Sequence, residues 1–123
     1  MKIHTEIKID AAHKLPNYVG KCHNLHGHTW KIVVEIDADE LDKNEFVVDF
    51  TKVKEVVNQL DHAYINDFVE NPTAENIAVY LANQIKKLGD VWEESTPDKI
   101  VNRFNSVTIK VYEAAESFAE VTI

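Results

Sequence analysis

Two periodicities divide the chain. Ile3, Thr5, Ile7 and Ile9 alternate with His4, Glu6, Lys8 and Asp10, and period two predicts a strand with one buried face. Residues 14–25 contain Pro16, Asn17, Gly20 and Asn24 and read as a loop. Alternation then resumes, with His28, Trp30, Ile32, Val34 and Ile36 on one parity and Thr29, Lys31, Val33 and Glu35 on the other. This predicts a second strand, antiparallel to the first across a long hairpin connection. Residues 37–45 are polar and turn-like. Val53, Val56, Val57 and Leu60 then fall at helical spacing, with Asp49 or Thr51 as cap. Thr73 is placed to cap a second helix, with Glu75 in its first turn and Ile77, Tyr80, Leu81, Gln84, Ile85 and Leu88 on its apolar face. Gly89 stands where a helix-terminating glycine belongs. Residues 90–105 read as irregular, with Trp92 as an anchor. Val107, Ile109 and Val111 alternate with Thr108, Lys110 and Tyr112, predicting a third strand to about Glu113. A turn at 114–117 and a strand at 118–123 close the chain.

The order β-β-α-α-β-β predicts an α+β domain: a four-stranded antiparallel sheet with two helices on one face, spanning residues 1–123 as a single domain. Such a sheet has open edges, which favours assembly through them. The length of 123 residues suits one ordinary core. Thirteen basic against 21 acidic residues leave a net charge of −8. That balance disfavours sequence-independent nucleic-acid binding, which rests on neutralising phosphates. No apolar run approaches the roughly 20 residues of a membrane span, and residues 1–9 lack the continuous apolar stretch of a signal peptide. A single Cys excludes an internal disulfide framework. The expectation is a cytoplasmic protein without membrane or nucleic-acid partners.

The histidines concentrate the chemistry. His26 and His28 are two apart and so point to one side of a strand, and pairing of the first two strands returns His13 to them. Three neutral imidazoles with an open position make a catalytic metal site, and zinc most often fills such sites. A surface hairpin that happens to carry His is the bland alternative for any one of them. Cys22 admits three readings: a fourth ligand closing a structural site, a reactive thiol beside the metal, or an inert buried Cys. Asp61-His62 is an acid/base relay or a polar helix end near the C-terminal dipole. Glu113 lies on the apolar parity of its strand; it grips a planar N–H pair, or the strand has ended and it is solvated.

Six motifs occur in order: Ala11-Ala12-His13, Cys22-x-x-x-His26-Gly27-His28, Val48-Asp49-Phe50, Leu60-Asp61-His62, Pro72-Thr73-Ala74-Glu75-Asn76 and Val111-Tyr112-Glu113. The set resembles the 6-pyruvoyl-tetrahydropterin synthase / 6-carboxy-tetrahydropterin synthase family across nearly the whole chain. The resemblance implies the tunnelling fold (T-fold) and a hexamer of two stacked trimers, with active sites between subunits. It implies zinc on His13, His26 and His28, Cys22 as catalytic base or proton donor, and Asp61 with His62 as the second acid/base group. Glu113 would hold the pterin ring through N3–H and the 2-amino group, with Thr73 beside it. The implied substrate is 7,8-dihydroneopterin triphosphate, with Lys14 and Lys21 as candidate cations for its phosphates.

Two products share this skeleton within the resemblance. One is 6-pyruvoyl-tetrahydropterin, for tetrahydrobiopterin. The other is 6-carboxy-5,6,7,8-tetrahydropterin with acetaldehyde, on the queuosine and 7-deazapurine route. The short chain and Ala74 are more similar to the carboxy type. Cys22 argues against a third branch that carries Glu there. Ile9-Asp10 departs from the family's common Phe-Ser, and Glu45-Phe46-Val47 from a common Gly-Met segment.

Overall fold

The apolar faces predicted by alternation form one continuous wall. The computed structural model describes residues 1–93 and 96–123. Strand β1 (Lys2–His13) pairs antiparallel with β2 (His26–Asp37) in unbroken register, from Lys2 opposite Asp37 to His13 opposite His26. Strand β5 (Ser106–Ala114) pairs with β2 on its other side, and β6 (Ser117–Thr122) with β5. The main sheet therefore runs β1-β2-β5-β6. Its inner face carries Ile7, Ile9 and Ala11, then Trp30, Ile32, Val34 and Ile36, then Val107, Ile109 and Val111, all buried.

Helices α1 (Phe50–Asn58) and α2 (Ala74–Lys86) cover that face. Asp49 caps α1, its carboxylate accepting from the Thr51 N–H at 2.9 Å. Thr73 caps α2, its hydroxyl oxygen accepting from the Asn76 N–H at 3.1 Å. Val53 and Val57 of α1 and Ile77, Leu81 and Ile85 of α2 are buried against the sheet. Burial of each such side chain is worth about 1.5–3 kcal/mol, which is what holds the helices to the wall.

Three details differ from the sequence expectation. Residues 90–105 are not simply irregular: β3 (Asp90–Glu93) and β4 (Thr96–Asn102) form a separate two-stranded hairpin, so the described residues form six strands rather than four. Its short strands pair with each other, and Val91, Trp92, Ile100 and Val101 are exposed, so no alternating apolar face revealed them; residues 94–95 lie outside the described residues. Trp92 is 67% exposed and anchors nothing in the core. Gly89 is not a left-handed terminator either, since α2 passes into a 3-10 turn at Lys87–Gly89 without a positive φ. Glycine is needed there for closeness, because a Cβ would sit 2.7 Å from the Phe104 ring. No helix among the described residues is long and apolar enough to cross a membrane.

Candidate active site

The β1–β2 ladder ends where the inner face meets the chain's exit from the sheet. His13 closes β1 and His26 opens β2 directly opposite, with His28 two residues further along the same face. His13 is 1% exposed, against the edge of the Trp30 ring at 4.9 Å between centroids. His28 leans on the same indole at 5.1 Å. Trp30 is itself fixed, its Nε1–H donating to the Ala11 carbonyl at 3.2 Å. The core thus builds the floor on which the imidazoles stand.

Hydrogen bonds set the tautomers. His13 Nδ1 lies 2.8 Å from the Pro72 carbonyl and His26 Nδ1 lies 2.7 Å from the Asn24 carbonyl. A carbonyl only accepts, so each Nδ1 carries its proton and each Nε2 is left with a lone pair. Those two Nε2 atoms face each other at 3.0 Å. Two lone pairs that close repel unless a cation lies between them. Nitrogens bound to zinc at 2.0–2.1 Å in a tetrahedron stand about 3.3 Å apart, close to the separation here. His28 Nε2 is buried without a hydrogen-bond partner. Glu113 Oε1 lies 3.0 Å from that atom and 3.8 Å from His13 Nε2. His13, His26, His28 and Glu113 therefore form one group of potential ligands within 4.8 Å of each other. Burial pushes the His13 and His28 pKa values down, favouring the neutral rings a metal requires.

Glu113 continues the inward parity of Val107, Ile109 and Val111, and it stands at a bulge. The β5–β6 register shifts between Tyr112 and Ala114, which gives Glu113 a position outside the regular ladder. Bulges re-aim a side chain without ending the strand. Of the two readings open in the sequence, the structure supports a carboxylate turned onto the inner face, half-buried against the histidines.

Asp61 and His62 form a second group, joined by Asp10 rather than by the histidine cluster. His62 Nδ1 lies 3.1 Å from Asp61 Oδ2, and its side chain is 79% exposed. The segment after α1 is strapped along β1 by backbone bonds: His62 N–H to the Asp10 carbonyl at 2.6 Å, and Ala12 N–H to the Ala63 carbonyl at 3.1 Å. Asp10 N–H also donates to Asp61 Oδ1 at 2.9 Å, the leading reason the Asp61 carboxyl is held below its ordinary value. His62 has φ 56, a left-handed conformation uncommon outside glycine. This strain costs on the order of 1 kcal/mol, and the strap opposes it. Asp10 was visible in the sequence only as a departure from a family motif. Its carboxylate accepts from Thr29 Oγ1 at 2.5 Å and stands with Asp61 and His62. A groove of about 510 Å³ runs past Asp10, Ala12, Gly27, His28, Thr29 and His62.

Cys22 sits half-buried in a 3-10 turn, Lys21–His23, and is not part of either group. Its carbonyl accepts from the Leu15 N–H at 2.9 Å, which ties the loop's two ends together. The fourth position beside the histidines belongs to Glu113, so the structure does not support Cys22 as a closing ligand. Thr73 lies next to Pro72, whose carbonyl orients His13. One short segment thus starts α2 and aligns a ligand. The Pro72 and Asn24 carbonyls are backbone groups, and no side-chain pattern announces them.

The model of the 6-pyruvoyl tetrahydropterin synthase family matches residues 2–123. The chain belongs to this enzyme family. A 6-carboxy-5,6,7,8-tetrahydropterin synthase of Haemophilus influenzae is 34% identical, with 97% of this chain and 96% of that protein covered. A dihydroneopterin monophosphate aldolase of Pyrococcus furiosus is 38% identical over a shorter span, covering 63% of this chain and 68% of that protein. The Caenorhabditis elegans 6-pyruvoyl tetrahydropterin synthase structure superposes with a TM-score of 0.66 at 24% identity, covering 98% of this chain and 94% of that one. This last likeness is one of fold, and it gives the sheet and helices described above as the T-fold.

Proposed function

We propose that the protein is a zinc-dependent lyase that converts 7,8-dihydroneopterin triphosphate and one water to 6-carboxy-5,6,7,8-tetrahydropterin, releasing triphosphate and acetaldehyde. The observation that carries this reading is the pair of Nε2 lone pairs facing each other at 3.0 Å, with His28 Nε2 and the Glu113 carboxylate gathered beside them. That geometry asks for a cation, and three imidazoles plus a displaceable carboxylate suit zinc. The name of the Haemophilus relative, which spans almost the full chain, favours the carboxy product.

In this reading His13, His26 and His28 hold the metal, which supplies Lewis acidity to the C–H bonds beside a bound side-chain hydroxyl. Glu113 accepts hydrogen bonds from N3–H and the 2-amino group of the pterin, releasing His28 as it does so. Thr73 lines the ring's place. Cys22 takes a proton from one side of the substrate side chain. Asp61, held ionised by the Asp10 N–H, orients His62 to move a proton on the other side. Asp61 and His62 group apart from the histidine cluster. We therefore assign them to the site of a neighbouring copy in a hexamer of stacked trimers, acting in the cytoplasm.

The test is product analysis by mass spectrometry with zinc-loaded protein and 7,8-dihydroneopterin triphosphate. Expected are 6-carboxy-tetrahydropterin and acetaldehyde, absent with Cys22→Ala. A pyruvoyl product would move the reaction to the tetrahydrobiopterin route. Unchanged substrate with a metal-replete protein would overturn the reading and leave a pterin- or metal-binding module.

A further inference from the structure

The side chain of Asp10 has no part in the proposed reaction, yet three groups of this residue are committed at one place. Its N–H donates to Asp61 Oδ1 at 2.9 Å, and its carbonyl accepts from the His62 N–H at 2.6 Å. Its carboxylate accepts from the Thr29 hydroxyl at 2.5 Å, across the β1–β2 ladder in which Asp10 and Thr29 are directly opposed. So anchored, the carboxylate stands with Asp61 and the His62 ring, an oxygen or nitrogen of each lying within 4.8 Å of the others.

Two carboxylates this close repel unless positive charge lies between them. Among the described residues no Lys or Arg forms an ion pair with either, and none lines the groove beside them. The positive charge available at this place is that of the His62 imidazole once it has accepted a proton. The ring also needs a second hold. It is 79% exposed, and its ion-pair contact among the described residues is Asp61, its neighbour in the chain. One contact leaves an exposed ring free to swing about it. A group that moves a proton has to be held within about 0.5 Å of its working place. Carboxylates from two different elements, β1 and the strap after α1, confine the ring where one would not.

We propose that Asp10 is a positioning residue of the Asp61–His62 pair. Its carboxylate, anchored by Thr29, confines the imidazole from the β1 side and faces the charge that the ring gains during proton transfer. It acts through His62 rather than on the substrate. The part it plays in turnover rests on the proposed function; its hold on the ring does not.

Asp10→Asn keeps the shape, an acceptor for Thr29 and both backbone bonds, and removes only the charge. In the enzymatic assay it should lower kcat roughly fivefold, with zinc content and KM for 7,8-dihydroneopterin triphosphate unchanged. Asp10→Glu should recover most of the loss. Nuclear magnetic relaxation at the histidine Cε1 carbons reads the rings in the substrate-free protein, the His62 signal being the one missing from His62→Gln. The His62 ring should be more mobile in Asp10→Asn than in the parent and restrained again in Asp10→Glu, with the other histidine signals unaltered. The hold on the ring is overturned if His62 is as restrained in Asp10→Asn as in the parent. The part in turnover is overturned if kcat is unchanged, or if KM rises while kcat holds, which would make Asp10 a substrate contact. A protein that turns over no pterin overturns the proposed function instead, and the relaxation measurement still decides the hold on the ring.

Discussion

His13 is 1% exposed, braced by Trp30 and tied at Nδ1 to a backbone carbonyl, whereas the His62 side chain is 79% exposed and tied to one adjacent carboxylate. Both belong to structures built on β1. The difference follows from strand alternation: Ile9, Ala11 and His13 turn inward, while Asp10 and Ala12 turn outward and carry the strap of residues 61–64. One group is formed by the core, which gathers its candidate ligand atoms within 4.8 Å of one another. The other is formed by backbone bonds at the surface and is left open on the solvent side. A preorganised centre and an exposed acid/base pair on one strand can serve the same reaction if a neighbouring copy brings the second to the first.

The comparison breaks most severely at the inner group. His13→Ala should abolish zinc retention and activity together, read by metal analysis and turnover. The loss should exceed the roughly 10–100-fold that removing a ligand's outer hydrogen-bond partner costs. Cys22→Ala should lower turnover by about 10²–10⁴-fold while zinc stoichiometry stays unchanged, since the thiol stands outside the ligand group. Zinc loss in that variant would make Cys22 a ligand after all.

Asp10→Ser touches only the outer group. It should reduce kcat by roughly fivefold, about the worth of one exposed hydrogen bond of 1 kcal/mol, with zinc content unaltered. A parallel loss of metal would show that the two groups are not independent.

The smallest effect separates them by pH. Burial holds His13 and His28 below the ordinary imidazole value of 6.5. Their unfolded forms then bind protons first, so the stability they confer is present above about pH 6.5 and drains as pH falls through the folded values. The melting temperature of metal-stripped protein should decline across this window, and the zinc-loaded protein should release metal in the same direction. A His13→Ala, His28→Ala double variant should show a flatter profile.

Much of this was legible in residue order. Period two placed β1, β2 and β5 with the correct inner faces, and helical spacing placed both helices with Thr73 as the second cap, while the structure chose Asp49 over Thr51 as the first. The family motifs and the His-x-His spacing marked the residues of the inner group. The hairpin of β3 and β4 was not legible, because its apolar residues Val91, Trp92, Ile100 and Val101 are exposed and mark no inward face. Gly89 was read as a helix stop when its real constraint is the Phe104 ring, a neighbour 15 positions away that local sequence does not report.

By itself, then, the sequence determined which side chains share a face, because alternation and helical spacing are properties of the local backbone. It also determined the chemistry available: imidazoles, one thiol and carboxylates, with cations in the minority. Only the tertiary structure decided how they meet. The β1–β2 register set His13 against His26 and Lys8 against Lys31, and the pairing of β5 with β2 brought the Glu113 carboxylate onto the imidazoles. The carbonyls of Pro72 and Asn24 chose the tautomers. These outcomes depend on distances between residues far apart in the chain, which are settled only when the core packs.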